Sequence, residues 1–106
     1  MATVFVAHPL AGNMAHHLSE MRQICAKVAE DGDVPICPAL YCTQFLNDDD
    51  AEQRDLGFYI GSRLMTFCDV VRVYGISPGV RQEIRLAKQL GKVIEYVAQD
   101  MDMGED

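Results

Sequence analysis

The stretch CDVVRVYGISPGVRQEIRLAKQLGKVIEYV, Cys68 to Val97, reads as strand, turn, helix, turn, strand. DVVRVYG, from Asp69, is β-branched and apolar, as a strand buried in a parallel sheet must be. Gly75, Ser77, Pro78 and Gly79 are loop and cap residues: Ser77 is a good N-cap, and Pro78 stands at the favoured first helical position. From Val80 nothing breaks a helix until Gly91, and KVIEYV, about Lys92 to Val97, is a further strand. Two such strands joined through a helix form a parallel pair.

Upstream the same alternation repeats. TVFVAH, Thr3 to His8, is a first strand, and Pro9, Gly12 and Asn13 mark the turn after it. Met14, Leu18, Met21, Cys25 and Val28 recur at helical spacing, and Asp31-Gly32 stops that helix. A short strand around Val34 to Cys37 is framed by prolines. PALYCTQFLNDDD is a longer irregular loop, and Asp49 or Asp50 can cap a second long helix running to about Phe67. The pattern predicts an α/β fold: a small flavodoxin- or Rossmann-like three-layer sandwich, with a four-stranded parallel sheet and helices on both faces. One domain over residues 1–98 is expected, followed by a frayed acidic tail, 99–106. Ligands of such sheets lie beyond the carboxyl ends of the strands. His8 to Asn13, Pro38 to Asn47 and Gly75 to Glu83 should therefore meet in one cleft.

The 106 residues carry a formal charge of −7, four acids of which lie between Asp100 and Asp106. That field repels a polyanion, so no nucleic-acid partner is expected. No apolar run approaches the roughly 20 residues of a membrane span. The N-terminus has no positive segment of the signal-peptide kind, and the four cysteines form no CxxC pair. A cytoplasmic protein with reduced thiols is the expectation. His16 and His17 are adjacent on a helix and point apart, with no third ligand at suitable spacing, so neither a metal nor a cofactor is expected. Met21, Tyr59, Met65 and Phe67 read as core. Gly57 and Gly61, one turn apart, call for close packing against another helix, from a second copy or from the same chain.

Glu83 lies four residues after Gly79, just inside a helix. Helical side chains lean toward their own N-terminus, so Glu83 reaches back over Gly79 and Val80 toward the cleft. Gly79 leaves space there, and the positive helix end would favour an ionised carboxylate. Such a group is suited to act as a nucleophile or to stabilise an oxocarbenium ion. The other reading is a surface acid paired with Arg81, Arg85 or Lys88, which spacing alone favours. His8, at the carboxyl end of the first strand, is placed either to touch a ligand or to serve as a hydrogen-bonded structural histidine.

VFVAHPLAGN, QRDLG, CDVVRVYG and SPGVRQEIRLAKQLGKVI together resemble the nucleoside 2-deoxyribosyltransferase-like superfamily, near its short bacterial and phage branch. The chain is also similar to the 2'-deoxynucleoside 5'-monophosphate N-hydrolases. The resemblance implies that Glu83 attacks the anomeric carbon of a deoxyribose, and that Asp55 assists the departing base or positions the sugar. It places Ser77 on a phosphate, Gly12 and Asn13 where backbone N–H groups receive an anion, and Gln44 and Phe45 beside the base. Two positions depart from the family pattern. Phe5 stands where a tyrosine usually orients the nucleophile, and Ala11 where a basic residue is usual, leaving Arg81 or Arg22 to compensate. The expected function is cleavage of the N-glycosidic bond of a deoxynucleoside or deoxynucleotide, as a hydrolase or transferase, without metal and as a homodimer. The alternative is a protein that binds a nucleotide or an ADP-ribose-type ligand without turnover.

Overall fold

A computed structural model describes residues 1–97; the acidic tail, 99–106, lies outside the described residues. The elements are β1 (Thr3–Ala7), α1 (Met14–Glu30), β2 (Val34–Ile36), α2 (Pro38–Cys42), α3 (Ala51–Met65), β3 (Val70–Val73), α4 (Pro78–Gln89) and β4 (Val93–Tyr96). The four strands are parallel, in the order β2-β1-β3-β4. This is the expected α/β architecture. The start of the loop predicted after β2 is instead the short helix α2, for which Pro38 supplies the preset first-turn backbone.

The pleat of β1 sends alternate residues to opposite faces. Val4 and Val6 pack with Val28 and Val70 under α1. Phe5 and Ala7 pack with Met65, Val71, Val73, Val80 and Ala87 under α3 and α4. All four are at most 3% exposed, so β1 is buried on both faces. Asp33 Oδ1 and Asp69 Oδ2 accept the backbone N–H groups of Ala2 and Thr3 at 2.9 and 2.8 Å, pinning the entry to the strand.

Local signals set the helix ends. The Asp50 carboxylate accepts from the N–H groups of Glu52 and Gln53, capping α3. Ser77 Oγ accepts from Val80 N at 3.2 Å, capping α4. After α4, Gly91 takes a left-handed φ of 70° that a side chain would resist, and the chain turns into β4.

Met21 and Met65 are core at 1% and 0% exposure, but Tyr59 and Phe67 are not, at 56% and 76%. Both lie on or just beyond the α3 flank that no other described element covers. The glycines of α3 face inward: a Cβ at Gly61 would lie 3.6 Å from Pro38, and one at Gly57 3.8 Å from Leu46. These are ordinary contact distances, so the close helix packing expected of the two glycines is not made among the described residues; both line the cavity described below. Removing the fully buried Met65 side chain as Met65→Ala should cost about 2–5 kcal/mol. Loss of the α3 cap in Asp50→Ala should cost about 1 kcal/mol. Urea unfolding of both variants checks the ranking.

Candidate functional site

The sheet order changes direction between β1 and β3. The chain leaves β1 into α1 on one face and leaves β3 into α4 on the other, so the loops part above this point. A cavity of about 380 Å³ opens there. His8, Leu10 and Ala11 line it from the end of β1, and Pro38, Cys42, Thr43 and Leu46 from α2 and its exit. Asp48, Gln53, Arg54, Gly57, Phe58 and Gly61 line it from α3 and its approach. Ser77, Gly79, Gln82 and Glu83 close it from α4. The three segments expected to meet do meet, and α3 adds a fourth wall.

Two glycines shape the α4 wall. A Cβ at Gly75 would lie 3.0 Å from Pro9 Cδ, so a side chain there would have to push the β3 and β1 exits apart by a few tenths of an ångström. A Cβ at Gly79 would meet only Ser77 Oγ, at 3.9 Å, so the space over the first turn of α4 is open.

Glu83 keeps some exposure as a residue, but protein atoms crowd its carboxyl. Desolvation pushes the carboxyl pKa up to about 8, and no charge or hydrogen bond from a described residue offsets the burial. The expected ionisation by the helix end is therefore outweighed. A helix N-terminus is worth roughly 0.3–1 kcal/mol, less than one pKa unit, whereas burial moves carboxyls by several units. The surface ion pair is not formed either: Arg81, Arg85 and Lys88 are exposed, and none of them bonds Glu83.

Among the other residues singled out in the sequence, His8, Ser77 and Gly79 line the same cavity as Glu83. Asp55, Gly12, Asn13, Gln44, Phe45 and Arg81 do not line it, and all six are exposed. Phe45 packs edge-on against Tyr41, with ring centroids 5.0 Å apart. Gln44 donates to Leu40 O at 3.3 Å. Phe5 is fully buried beneath Gly61 and contributes to the core, not to the lining. Asp48, Gln53 and Arg54 do line the cavity and were missed. Their signal was the acidic run Asp48 to Asp50 ahead of a helix at the carboxyl end of the sheet. Arg54 and Asp55 are adjacent in QRDLG, so the helical turn of about 100° between them separates lining from surface. Arg54 Nε donates to Asp48 O at 3.1 Å, holding the only arginine of the lining in place. Burial raises the Asp48 carboxyl above its usual range, while the nearby Arg54 charge partly opposes the shift.

Two solved structures share this fold. A 2-deoxyribosyltransferase from Bacillus psychrosaccharolyticus superposes with a TM-score of 0.67 at 18% identity, covering 90% of this chain and 71% of that one. A 2-deoxyribosyltransferase from Leishmania mexicana does so with 0.62 at 17% identity, covering 91% and 63%. The present chain thus spans less than two thirds of the Leishmania protein. No curated protein matches it in sequence. Residues 2–97 match the family model described as a domain of unknown function, DUF7768. The chain is a member of the DUF7768 family, built on the fold of the 2-deoxyribosyltransferases.

Proposed function

We propose that the cavity cleaves the N-glycosidic bond of a deoxynucleoside or its 5'-monophosphate. The observation that carries this reading is Glu83: a crowded carboxyl with no partner among the described residues, in a cavity large enough for a nucleoside, on a deoxyribosyltransferase fold. A carboxyl raised by burial, opening into a cleft and without a hydrogen-bonding partner among the described residues, is characteristic of functional sites. In the proposed reaction a Glu83 carboxylate oxygen bonds to C1', and the C1'–N bond breaks with its electron pair leaving on the base. A proton then neutralises the base. Asp48 is better placed to give that proton than Asp55, since it lines the cavity and burial raises its carboxyl. Water releases the sugar in a hydrolase, and a second base captures it in a transferase. Ser77 and Arg54 supply a hydroxyl and a cation for a 5'-phosphate, which tilts the reading toward the monophosphate N-hydrolases and compensates for Ala11.

One observation favours a second reading, a protein that binds such ligands without turnover. A carboxyl with a pKa of about 8 is mostly protonated at neutral pH and is then a poor nucleophile, and Phe5 offers no hydroxyl to activate it. A homodimer through α3 also belongs to the proposal. Its support is the exposed outer flank, where Leu56 and Tyr59 are 51% and 56% exposed beside Asp55.

Incubation with deoxynucleosides and their 5'-monophosphates, followed by chromatography, should show free base from the parent chain and none from Glu83→Gln. Ligand-raised melting temperatures without base release would establish the binding reading instead. Because the nucleophile must be ionised, kcat/KM for a substrate whose leaving base needs no proton from Asp48 should climb with pH through about 8 and level off above it. Stability should run the other way. The folded state holds the Glu83 proton more tightly than the unfolded chain, so this contribution is complete below pH 4.5 and lost as pH rises through about 8. Glu83→Gln should therefore gain in melting temperature relative to the parent between pH 5 and pH 9. Light scattering should give a dimer mass for the parent and a monomer mass for Leu56→Glu.

A further inference from the structure

We propose that His8, His17 and Glu20 bind a divalent transition-metal ion of the zinc class where the β1 exit meets α1. Spacing along α1 alone pairs His17 with Glu20, and the remaining ligand, His8, comes from another element. His8 follows β1, while His17 and Glu20 lie three residues apart on one face of α1. One ligand atom from each falls within 4.8 Å of the other two. The His8 and His17 rings meet edge to face, with centroids 5.3 Å apart.

The hydrogen bonds show why a cation belongs there. His8 Nδ1 lies 2.7 Å from the carbonyl oxygen of Pro9. A carbonyl only accepts, so Nδ1 carries the proton and the neutral ring has its lone pair on Nε2. That lone pair faces Glu20 Oε1 at 3.1 Å, acceptor against acceptor. Something positive must lie between them. A proton would satisfy this pair but not the third member: His17 Nδ1 is buried with no hydrogen-bond partner among the described residues. Protonating both rings would press two imidazolium charges together, whereas one metal ion takes lone pairs from all three groups at once.

The surroundings have the form that metal ligands need. The Pro9 carbonyl orients the His8 ring from behind, and His16 Nε2 lies 3.4 Å from the other Glu20 oxygen. Two imidazoles and one carboxylate suit zinc and its neighbours, whereas magnesium and calcium prefer oxygen donors. Bonds of about 2.0–2.1 Å in a tetrahedral site put donors about 3.4 Å apart, close to the His8–Glu20 spacing already present. Three protein donors leave a position for water. His8 also lines the cavity, whereas His17 and Glu20 do not, so His8 would link the metal site to the cavity from behind.

The test uses the full chain, stripped with chelator and kept reduced, titrated with Co²⁺ and with Zn²⁺ against a chromophoric indicator. One equivalent should bind, with Co²⁺ ligand-field bands and no thiolate charge-transfer band, and Zn²⁺ should raise the melting temperature. His17→Asn and Glu20→Gln should each weaken Zn²⁺ binding at least tenfold, while Cys25→Ser leaves it unchanged. The metal-free melting temperature of each variant shows that it is folded, and if one is not, the other decides. Absence of a bound equivalent at micromolar metal would overturn the proposal. So would unchanged affinity in a folded His17→Asn or Glu20→Gln protein, or a thiolate band lost in Cys25→Ser.

Discussion

The structure depends on β1 being an inner strand whose two neighbours are reached by crossovers on opposite faces. Pairing on both edges and packing on both faces leave no wet side for its residues, and Val4 to Ala7 are accordingly apolar and buried. The geometry becomes interesting where that strand ends. The peptide chain must leave in a direction that the exit of β3 does not share, and the gap is the cavity. The contact of Pro9 with Gly75 ties the two exits together, so the first turn of α4, and Glu83 with it, is held in register with β1.

Within that frame the protein keeps an acid under unfavourable conditions. Cations are available on the same helix, yet Arg81, Arg85 and Lys88 are turned to solvent and none neutralises Glu83. An ion pair would serve stability better than a carboxyl raised by burial alone. The chain instead brings its lining cation, Arg54, from α3 and anchors it on the Asp48 backbone. Keeping the acid and the cation apart leaves both free to meet something that enters.

The alternation of strands and helices was legible because each signal was local. Apolar runs, helical spacing, Ser77 and Asp50 as caps and Gly91 as a stop act over a few residues. The meeting of three loops was legible too, since it follows from topology. What could not be read were properties set by the third dimension. The pKa of Glu83 depends on how closely other segments crowd it, a quantity absent from its own helix. Tyr59 and Phe67 are large and apolar, but the phase of α3 and the turn after it leave them outside. Arg54 and Asp55 are neighbours in sequence and part company by helical rotation. His8 reaches Glu20 and His17 only after β1 and α1 have packed.

The raised pKa of Glu83 has a thermodynamic corollary. At neutral pH the cavity holds a proton as a stored component. A ligand that brings positive charge to that carboxyl, or needs its oxygen as an anion, must first expel the proton to the solvent. The observed heat of association would then include the ionisation enthalpy of whichever buffer receives it, and would differ between phosphate and Tris in proportion to the protons released. A neutral molecule that only fills the space would leave no such trace. Calorimetry in paired buffers can therefore sort ligands by what they do to this one oxygen, before any chemistry has taken place.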